Sequence, residues 1–131
     1  MAIQLEIVTP TGALFSGEVS SVTAPGTGGE FQMLPGHLPA LIQLSGGVLR
    51  YQGEQSGHLY VRGGVAELSA GKALVLTEEA QRPEDSDPKR ANAIREEMQQ
   101  RFESSSFLED DELAQMTRDL RFADAVLNSA R

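Results

Sequence analysis

Histidine and cysteine, the side chains that most often carry catalysis or bind transition metals, are scarce in this sequence. It has no cysteine and two histidines, His37 and His58, which excludes disulfides, thiolate metal sites and cysteine nucleophiles. Metal sites of glycine-rich β domains typically join three histidines and a carboxylate. We therefore expect neither a bound metal nor catalytic residues. A small metal-dependent β enzyme is kept as an alternative that a metal analysis would test.

The glycine-rich segment 26–29, Gly-Thr-Gly-Gly, is the one stretch that looks like a phosphate-binding loop. It lacks the lysine and the following serine or threonine of such loops, and no helical pattern starts after it. We interpret it as a simple turn.

Overall charge narrows the classes of partner. The 131 residues include 19 acidic and 11 basic side chains, a formal net charge of −8. A surface of that sign repels phosphate backbones and anionic lipid, so nucleic acid is not an expected partner. No run of about 18 apolar residues occurs, so we expect no direct insertion into a membrane.

Two halves of the chain follow different patterns, which predicts an all-β domain followed by helices. Residues 1–81 hold most glycines, with turn signals about every 8–12 residues, as in a sandwich or barrel, and with alternation at Ile3, Leu5 and Ile7. Residues 82–87 form a polar, proline-bounded linker. Residues 88–131 contain two amphipathic segments joined by a serine-rich break, which predicts an antiparallel helical hairpin.

Each helix carries one predicted apolar stripe. The first helix runs from about Pro88 to Glu103, and the stripes comprise Ala91, Ile94, Met98 and Phe102 in the first helix and Leu113, Met116, Leu120, Ala123 and Leu127 in the second. Neither helix has a second apolar face. We therefore expect the two stripes to bury against each other or against another surface, with marginal stability for the hairpin alone.

Three polar residues could have a functional role, but each also has a simpler interpretation. Asp87 before Pro88 fits a helix N-cap followed by proline at the first helical position. Glu30 and His37 flank a strand that runs into a tight turn at Pro35–Gly36, so both fit solvated polar ends. A loop edge that contacts a partner is the functional alternative for Glu30 and His37.

A known family becomes recognisable at residues 28–39, Gly-Gly-Glu-Phe-Gln-Met-Leu-Pro-Gly-His-Leu-Pro. This stretch resembles the Gly-Glu-x-Gly-x-Leu-Pro-Gly-His-x-Pro signature of the epsilon subunits of bacterial ATP synthases, called delta in mitochondria. Gln32 stands where glycine is usual. Further segments follow in the family's order: Val8–Pro10, Leu14–Val19, Gly47–Arg50, Gly63–Glu67 and Val75–Ala80.

The resemblance implies a flattened β-sandwich that binds the rotor, followed by the hairpin. It implies a non-catalytic central-stalk subunit that joins the gamma subunit to the c-ring for proton-driven ATP synthesis, without a required cofactor. Glu30 would contact the c-ring and His37 the gamma stalk. The location would be peripheral, at the cytoplasmic face of the bacterial inner membrane.

The resemblance also implies a regulatory role for the helices. In related proteins the tail extends toward the alpha and beta subunits and inhibits ATP hydrolysis, a role that Arg118 and Arg121 would serve here. Inhibitory tails are often basic, whereas residues 107–131 hold three basic and six acidic side chains, a net charge of −3.

Some relatives bind regulatory ATP through an Ile/Leu-Asp-x-x-Arg-Ala motif. Asp87, Arg90 and Ala91 match that motif, while Ser86 replaces its apolar first residue. The residues themselves favour an N-cap and a solvated basic pair over a nucleotide site. For the chain as a whole, the alternative function is a stand-alone β-sandwich binding module with a dimerising helical hairpin.

Overall fold

The fold is described from a computed structural model, which covers residues 2–104 and 107–129. The serine-rich break predicted between the helices therefore lies partly outside the described residues. Eight strands are followed by a short 3-10 helix and two α-helices. Their bounds are β1 Ile3–Thr9, β2 Gly12–Val19, β3 Ser21–Gly26, β4 Gly29–Met33, β5 Ala40–Gln52, β6 Gly57–Ser69, β7 Lys72–Leu76, β8 Ala80–Gln81, the 3-10 helix Pro83–Asp85, α1 Pro88–Ser104 and α2 Asp110–Ser129.

The strands pair in the order β2-β1-β7-β6-β5-β3-β4, and β8 adds to β6. All pairings are antiparallel except that of β1 with β7. β5 and β6 are 13 residues long and lose strict alternation of burial near their glycine pairs, 46–47 and 63–64. Gly63 and Gly64 have φ values of 76° and 118°, which suit a bend in a strand. The two long strands therefore let the sheet fold over into the two layers of a sandwich.

The sandwich has an apolar core. Ile3, Leu5 and Ile7 point inward from β1 and are at most 1% exposed, as their alternation predicts. Residues from β3, β5, β6 and β7 complete the same cluster. The predicted fold class, a β-sandwich followed by a two-helix hairpin, is confirmed.

The hairpin packs on the sandwich through α2. A second apolar cluster joins Tyr60 of β6 to both helices, and its helical members are Ala91, Ile94, Met98, Met116, Phe122, Ala123 and Val126. α2 contacts α1 on one side and β5 and β6 on the other. The expectation that neither helix has a second apolar face is wrong for α2, because Phe122 and Val126 add a buried face.

The ends of the predicted stripes differ from expectation. Phe102 is 61% exposed and Leu113 is 39% exposed, whereas Phe122 is 1% exposed. Both misplaced residues lie toward the turn between the helices, Phe102 near the end of α1 and Leu113 near the start of α2. Helical periodicity identified the apolar positions but could not show where the supporting sheet ends.

Candidate functional sites

Glu30 lies at the start of β4 and His37 in the loop between β4 and β5, and both residues are exposed. The Glu30 carboxylate approaches Arg50 of β5 at 4.0 Å, and both side chains are more than half exposed. The His37 amide donates to the Leu34 carbonyl at 3.1 Å, which closes the predicted tight turn. His37 and Glu30 thus stand at the surface, available for contact with another molecule.

His37 has an ordered ring orientation despite its exposure. Its Nδ1 lies 2.9 Å from the carbonyl oxygen of Leu38, and its ring meets Phe31 edge-on with centroids 5.3 Å apart. Leu34 and Leu38 beside it are 47% and 78% exposed. The loop therefore presents an imidazole among apolar side chains, a composition suited to protein contact.

A shallow apolar groove lies on the outer face of the sheet. Strand register places Leu41 and Gln43 of β5, Val65 of β6, Leu76 of β7 and Val8 of β1 on neighbouring strands. They line a groove of about 810 Å³, in which Leu41 is 72% and Leu76 44% exposed. Contiguous exposed apolar surface of this kind marks interaction sites. The groove could not be predicted from local patterns, because it depends on the register of four strands.

Asp87 is the N-cap of α1, as predicted. Its Oδ1 accepts hydrogen bonds from the amides of Lys89 at 3.1 Å and Arg90 at 3.2 Å. These are amides that an uncapped helix leaves without partners. In this structure the Asp87 carboxylate is therefore engaged in holding the start of the helix.

The other two residues of the nucleotide motif also have structural partners. The Arg90 guanidinium forms a two-pronged ion pair with Glu79, in which Nη2 donates to Oε1 at 2.8 Å and Nη1 to Oε2. Ala91 is 2% exposed and packs in the helical cluster. A phosphate bound here would have to compete with Glu79 for Arg90.

Glu79 belongs to a chain of charged groups that connects the sandwich with both helices. Besides Arg90 of α1, it accepts a hydrogen bond from Nη1 of Arg62 on β6 at 3.3 Å. The Arg62 Nε donates to Oδ1 of Asp119 on α2 at 2.8 Å, and the Arg62 guanidinium lies 6.0 Å from the ring centre of Phe122. Arg62 thus links Glu79 of the β domain to Asp119 of α2.

Asp119 is 2% exposed. Burial by itself raises the pKa of its carboxyl, but the hydrogen bond and charge of Arg62, with a contribution from Arg118, outweigh burial and lower the pKa below its usual value. The same hydrogen bond, donated by Arg62 to Asp119, raises the pKa of the Arg62 guanidinium against the opposing effect of burial. Asp119 is therefore charged in the docked hairpin at neutral pH.

Arg118 and Arg121, the candidate inhibitory residues, both contact the sandwich or its neighbours. Arg118 is 19% exposed, and its guanidinium pairs with Glu78 at 3.3 Å and with Asp119 at 3.2 Å. Arg121 is exposed, and its Nη1 lies 3.4 Å from Oγ of the buried Ser45. Arg118 therefore lies between α2 and the sheet, where its side chain packs against Gly63.

The two histidines occupy separate elements, His37 in the loop after β4 and His58 on β6. His58 Nε2 lies 3.4 Å from the hydroxyl of Tyr60. Within residues 2–104 and 107–129, no three potential ligands among His, Asp and Glu cluster as a metal site would require. Over the same ranges, no helix is long and apolar enough to cross a membrane.

Known proteins with related sequences fall in one family. Residues 2–83 match the family model described as ATP synthase, Delta/Epsilon chain, beta-sandwich domain. The ATP synthase epsilon chain of Nitratidesulfovibrio vulgaris strain DP4 is 43% identical over 102 residues, covering 77% of this chain and 76% of the relative. That of Desulfosudis oleivorans is 42% identical over 104 residues, covering 78% of each.

The fold of this chain is similar to solved structures over the hairpin as well as the sandwich. A chain from the Euglena gracilis mitochondrial ATP synthase, in a structure of OSCP, F1 and c-ring in rotational state 1, gives a TM-score of 0.76 at 21% identity, covering 99% of this chain and 82% of that one. A chain from the Tetrahymena thermophila mitochondrial ATP synthase central stalk and c-ring gives 0.60 at 16% identity, covering 99% and 96%. At these identities the likeness concerns the fold, hairpin included. The sequence matches go further: the chain belongs to the ATP synthase delta/epsilon family.

Proposed function

We propose that this chain is a non-catalytic rotor subunit of an F-type ATP synthase, joining the gamma subunit to the c-ring for proton-driven ATP synthesis. Membership of the delta/epsilon family supports the role, and so does the likeness to chains solved in central-stalk and c-ring assemblies. The subunit would lie peripherally at the cytoplasmic face of the bacterial inner membrane. It needs no cofactor for this role, and its part is mechanical coupling.

The observation that carries the proposal is an apolar surface of the sandwich that stays exposed beside the docked hairpin, with Arg118 of α2 among the residues that line it. The apolar groove with Leu41 and Leu76 and the neighbouring His37 loop supply a surface for the gamma subunit. Glu30, exposed beside Arg50, supplies a polar contact for the c-ring. Apolar contact with a polar edge is the composition of a lasting protein interface.

Reconstitution with the partners tests the two contacts separately. We expect Leu41→Glu to abolish co-purification of the gamma subunit and His37→Ala to weaken it, because a charge in the groove would be desolvated without a partner. Phe102→Glu is the matched control, since Phe102 is also exposed but lies on α1.

Glu30→Ala is expected to weaken binding to the c-ring alone, with exposed Glu84→Ala as its control. Retention of gamma by Leu41→Glu would contradict the placement of this interface.

The alternative, a stand-alone binding module whose hairpin dimerises, predicts a different result in the same experiment. It requires that gamma does not co-purify at all and that the free chain is a dimer. Against it, α2 already uses its apolar faces within the chain, on α1 and on the sheet. A metal analysis of untagged protein addresses the metal-enzyme alternative, for which a stoichiometric metal is required.

We further propose that the helices regulate ATP hydrolysis by reaching the alpha and beta subunits through Arg118 and Arg121. Arg118 is tied to Glu78 and Asp119 in the docked state, so this contact requires the hairpin to leave the sandwich. In the assembled enzyme, Arg118→Ala and Arg121→Ala are expected to raise ATP hydrolysis, and Arg101→Ala on α1 is the control. Unchanged hydrolysis in both variants would rule out the contact.

Binding of regulatory ATP at Asp87, Arg90 and Ala91 is a separate proposal. Its support is the capped N-terminus of α1, where Lys89 and Arg90 add positive charge near helix amides. Isothermal titration of the chain with ATP and magnesium tests it. Saturable binding that is lost in the Asp87→Ala/Arg90→Ala double variant, but kept in Arg95→Ala, is the expected result. No binding at millimolar ATP would exclude a nucleotide-dependent regulator.

A further inference from the structure

The contact between the hairpin and the sandwich contains a charged residue at its centre. Asp119 lies in α2 and is 2% exposed, and both of its neighbours in the helical cluster, Met116 and Phe122, are buried and apolar. A carboxylate in such a place is tolerated only when it is paired and hydrogen-bonded. Its partner across the interface is Arg62 of β6, at 2.8 Å.

The pair is extended on both sides into one chain of charges. Toward α1, the Glu79 carboxylate forms an ion pair with Nη1 of Arg62 at 3.3 Å and a second one with Arg90. Toward the turn after β7, Arg118 joins Asp119 at 3.2 Å to Glu78 at 3.3 Å. The pairs Arg62–Asp119, Glu79–Arg90 and Glu78–Arg118 each join the β domain to a helix. The pairs Arg62–Glu79 and Arg118–Asp119 link these contacts into one connected set.

Two glycines of the sheet allow α2 to pack closely on it, next to the Arg62–Asp119 pair. A Cβ atom at Gly46 of β5 would collide with the backbone of α2 at Arg118 and Phe122. A Cβ at Gly63 of β6 would collide with the Arg118 side chain. The helix therefore approaches the sheet at backbone distance, which is what brings Asp119 within reach of Arg62.

We propose that Arg62, Asp119 and Glu79 form an ionic latch that holds the hairpin in its docked position on the sandwich, with Arg62 as the residue shared by both halves. Breaking the Arg62–Asp119 pair releases α2 from the sheet while the sandwich stays folded. The latch concerns the free chain and does not depend on the rotor role proposed above. It assigns a physical cause to the choice between a docked and an extended tail.

A buried ion pair has a diagnostic pattern under mutation. Removing one partner leaves the other charge buried with less compensation, from Arg118 alone for Asp119 or from Glu79 alone for Arg62. Replacing both with apolar side chains of similar size restores packing. Arg62→Met and Asp119→Leu are therefore expected to undock α2 singly and to permit docking together. A purely packing role for either residue would make the double variant worse than each single one.

Amide hydrogen exchange on the full chain measures docking and folding at once. For Arg62→Met we expect at least tenfold faster exchange in α2, around residues 116–126, with the amides of β1 and β7 unchanged. The double variant Arg62→Met/Asp119→Leu is expected to return α2 to within about threefold of the parent chain. Arg50→Met is the matched control, because Arg50 forms an exposed pair with Glu30 at 4.0 Å.

Several outcomes would overturn the latch. Exchange in α2 that stays within twofold of the parent in Arg62→Met is one. A double variant that exchanges faster than both single ones is another. If Arg62→Met fails to fold, so that β1 exchanges as fast as α2, the milder Asp119→Asn variant decides: faster exchange confined to α2 supports the latch, and no change in α2 refutes it.

Discussion

The sandwich and the hairpin of this chain are held by different kinds of interaction. The core of the sandwich is formed by apolar side chains and strand pairing. The hairpin combines a smaller apolar cluster with charged groups that cross from β6 to both helices. Apolar burial varies little with pH or salt, whereas ion pairs respond to both. The difference teaches that pH and salt should affect the attachment of the hairpin more than the core of the sandwich.

The largest expected effect comes from a cavity in the sandwich. Leu5 of β1 is fully buried, and Leu5→Ala should lower the free energy of unfolding by about 2–5 kcal/mol. Because α2 has no support without the sheet, we expect the strands and helices to be lost together in urea unfolding, followed by circular dichroism. Helices that persist after the strands have unfolded would contradict the dependence of the hairpin on the sandwich.

Adding a side chain where α2 packs closely on the sheet should weaken docking of the hairpin and leave the sandwich folded. Gly46→Ala places a methyl group against the backbone of α2, and overpacking of this kind typically costs about 1–3 kcal/mol. We expect the loss to fall on docking, seen as proteolysis between the sandwich and α1 while the sandwich fragment survives. Gly28→Ala is the control, since its added Cβ would meet open space. Equal sensitivity of the two variants to proteolysis would contradict the close packing of α2 on Gly46.

Loss of the α1 cap should have a more local effect. Asp87→Ala removes the acceptor for the amides of Lys89 and Arg90 and should cost about 1 kcal/mol of helix stability. Faster amide exchange in the first turn of α1, with α2 unaffected, is the expected result. Exposed Asp85, in the preceding 3-10 helix, is a suitable control position. Unchanged exchange at residues 89 and 90 would show that the cap contributes little.

Acid should weaken docking before it weakens the sandwich, and this is the smallest effect. The pKa of Asp119 lies below its usual value of 3.8 in the docked state. Stabilisation from its charge is therefore fully present above about pH 4 and is lost as the pH falls through the lowered pKa. The charged groups that act on it directly or through Arg62 come from β6, α1, α2 and the segment after β7: Arg62, Glu97, Arg90, Arg118, Glu78 and Glu79.

Because other carboxylates also titrate in acid, the pH experiment needs a variant that removes Asp119 from the titration. Asp119→Asn should be less docked at neutral pH and lose less of its remaining docking in acid. Hydrogen exchange in α2 between pH 3 and 5, corrected for intrinsic rates, measures the difference. Parallel pH profiles for the parent and the variant would remove Asp119 as the cause.

Local patterns were enough to predict much of the fold. Alternation identified β1, the Asp87–Pro88 pair marked the start of α1, and the change of period placed the helices after residue 87. Their success rests on interactions between residues a few positions apart. Burial of Phe122 and exposure of Phe102 could not be predicted in this way, because each depends on where the sheet ends beneath the hairpin.

The candidate sites divide along the same line. The exposed positions of Glu30 and His37 follow from a tight turn in the sequence, although their roles in binding stay predictions. The groove around Leu41 and the Arg62–Asp119 pair require strands and helices brought together from distant segments. One signal was present: Arg62 directly follows the apolar run 59–61 and precedes a glycine pair, and a charge in such a setting needs a partner.

The parallel pairing of β1 with β7 sets an order for synthesis on the ribosome. β1 is made first, but its neighbour in the sheet, Lys72–Leu76, comes more than 60 residues later. The sandwich can therefore close only after β7 has left the exit tunnel, and contacts so distant in sequence form slowly. The helices follow the strands along the chain, so α2 can dock only after the strands on which it packs have been made.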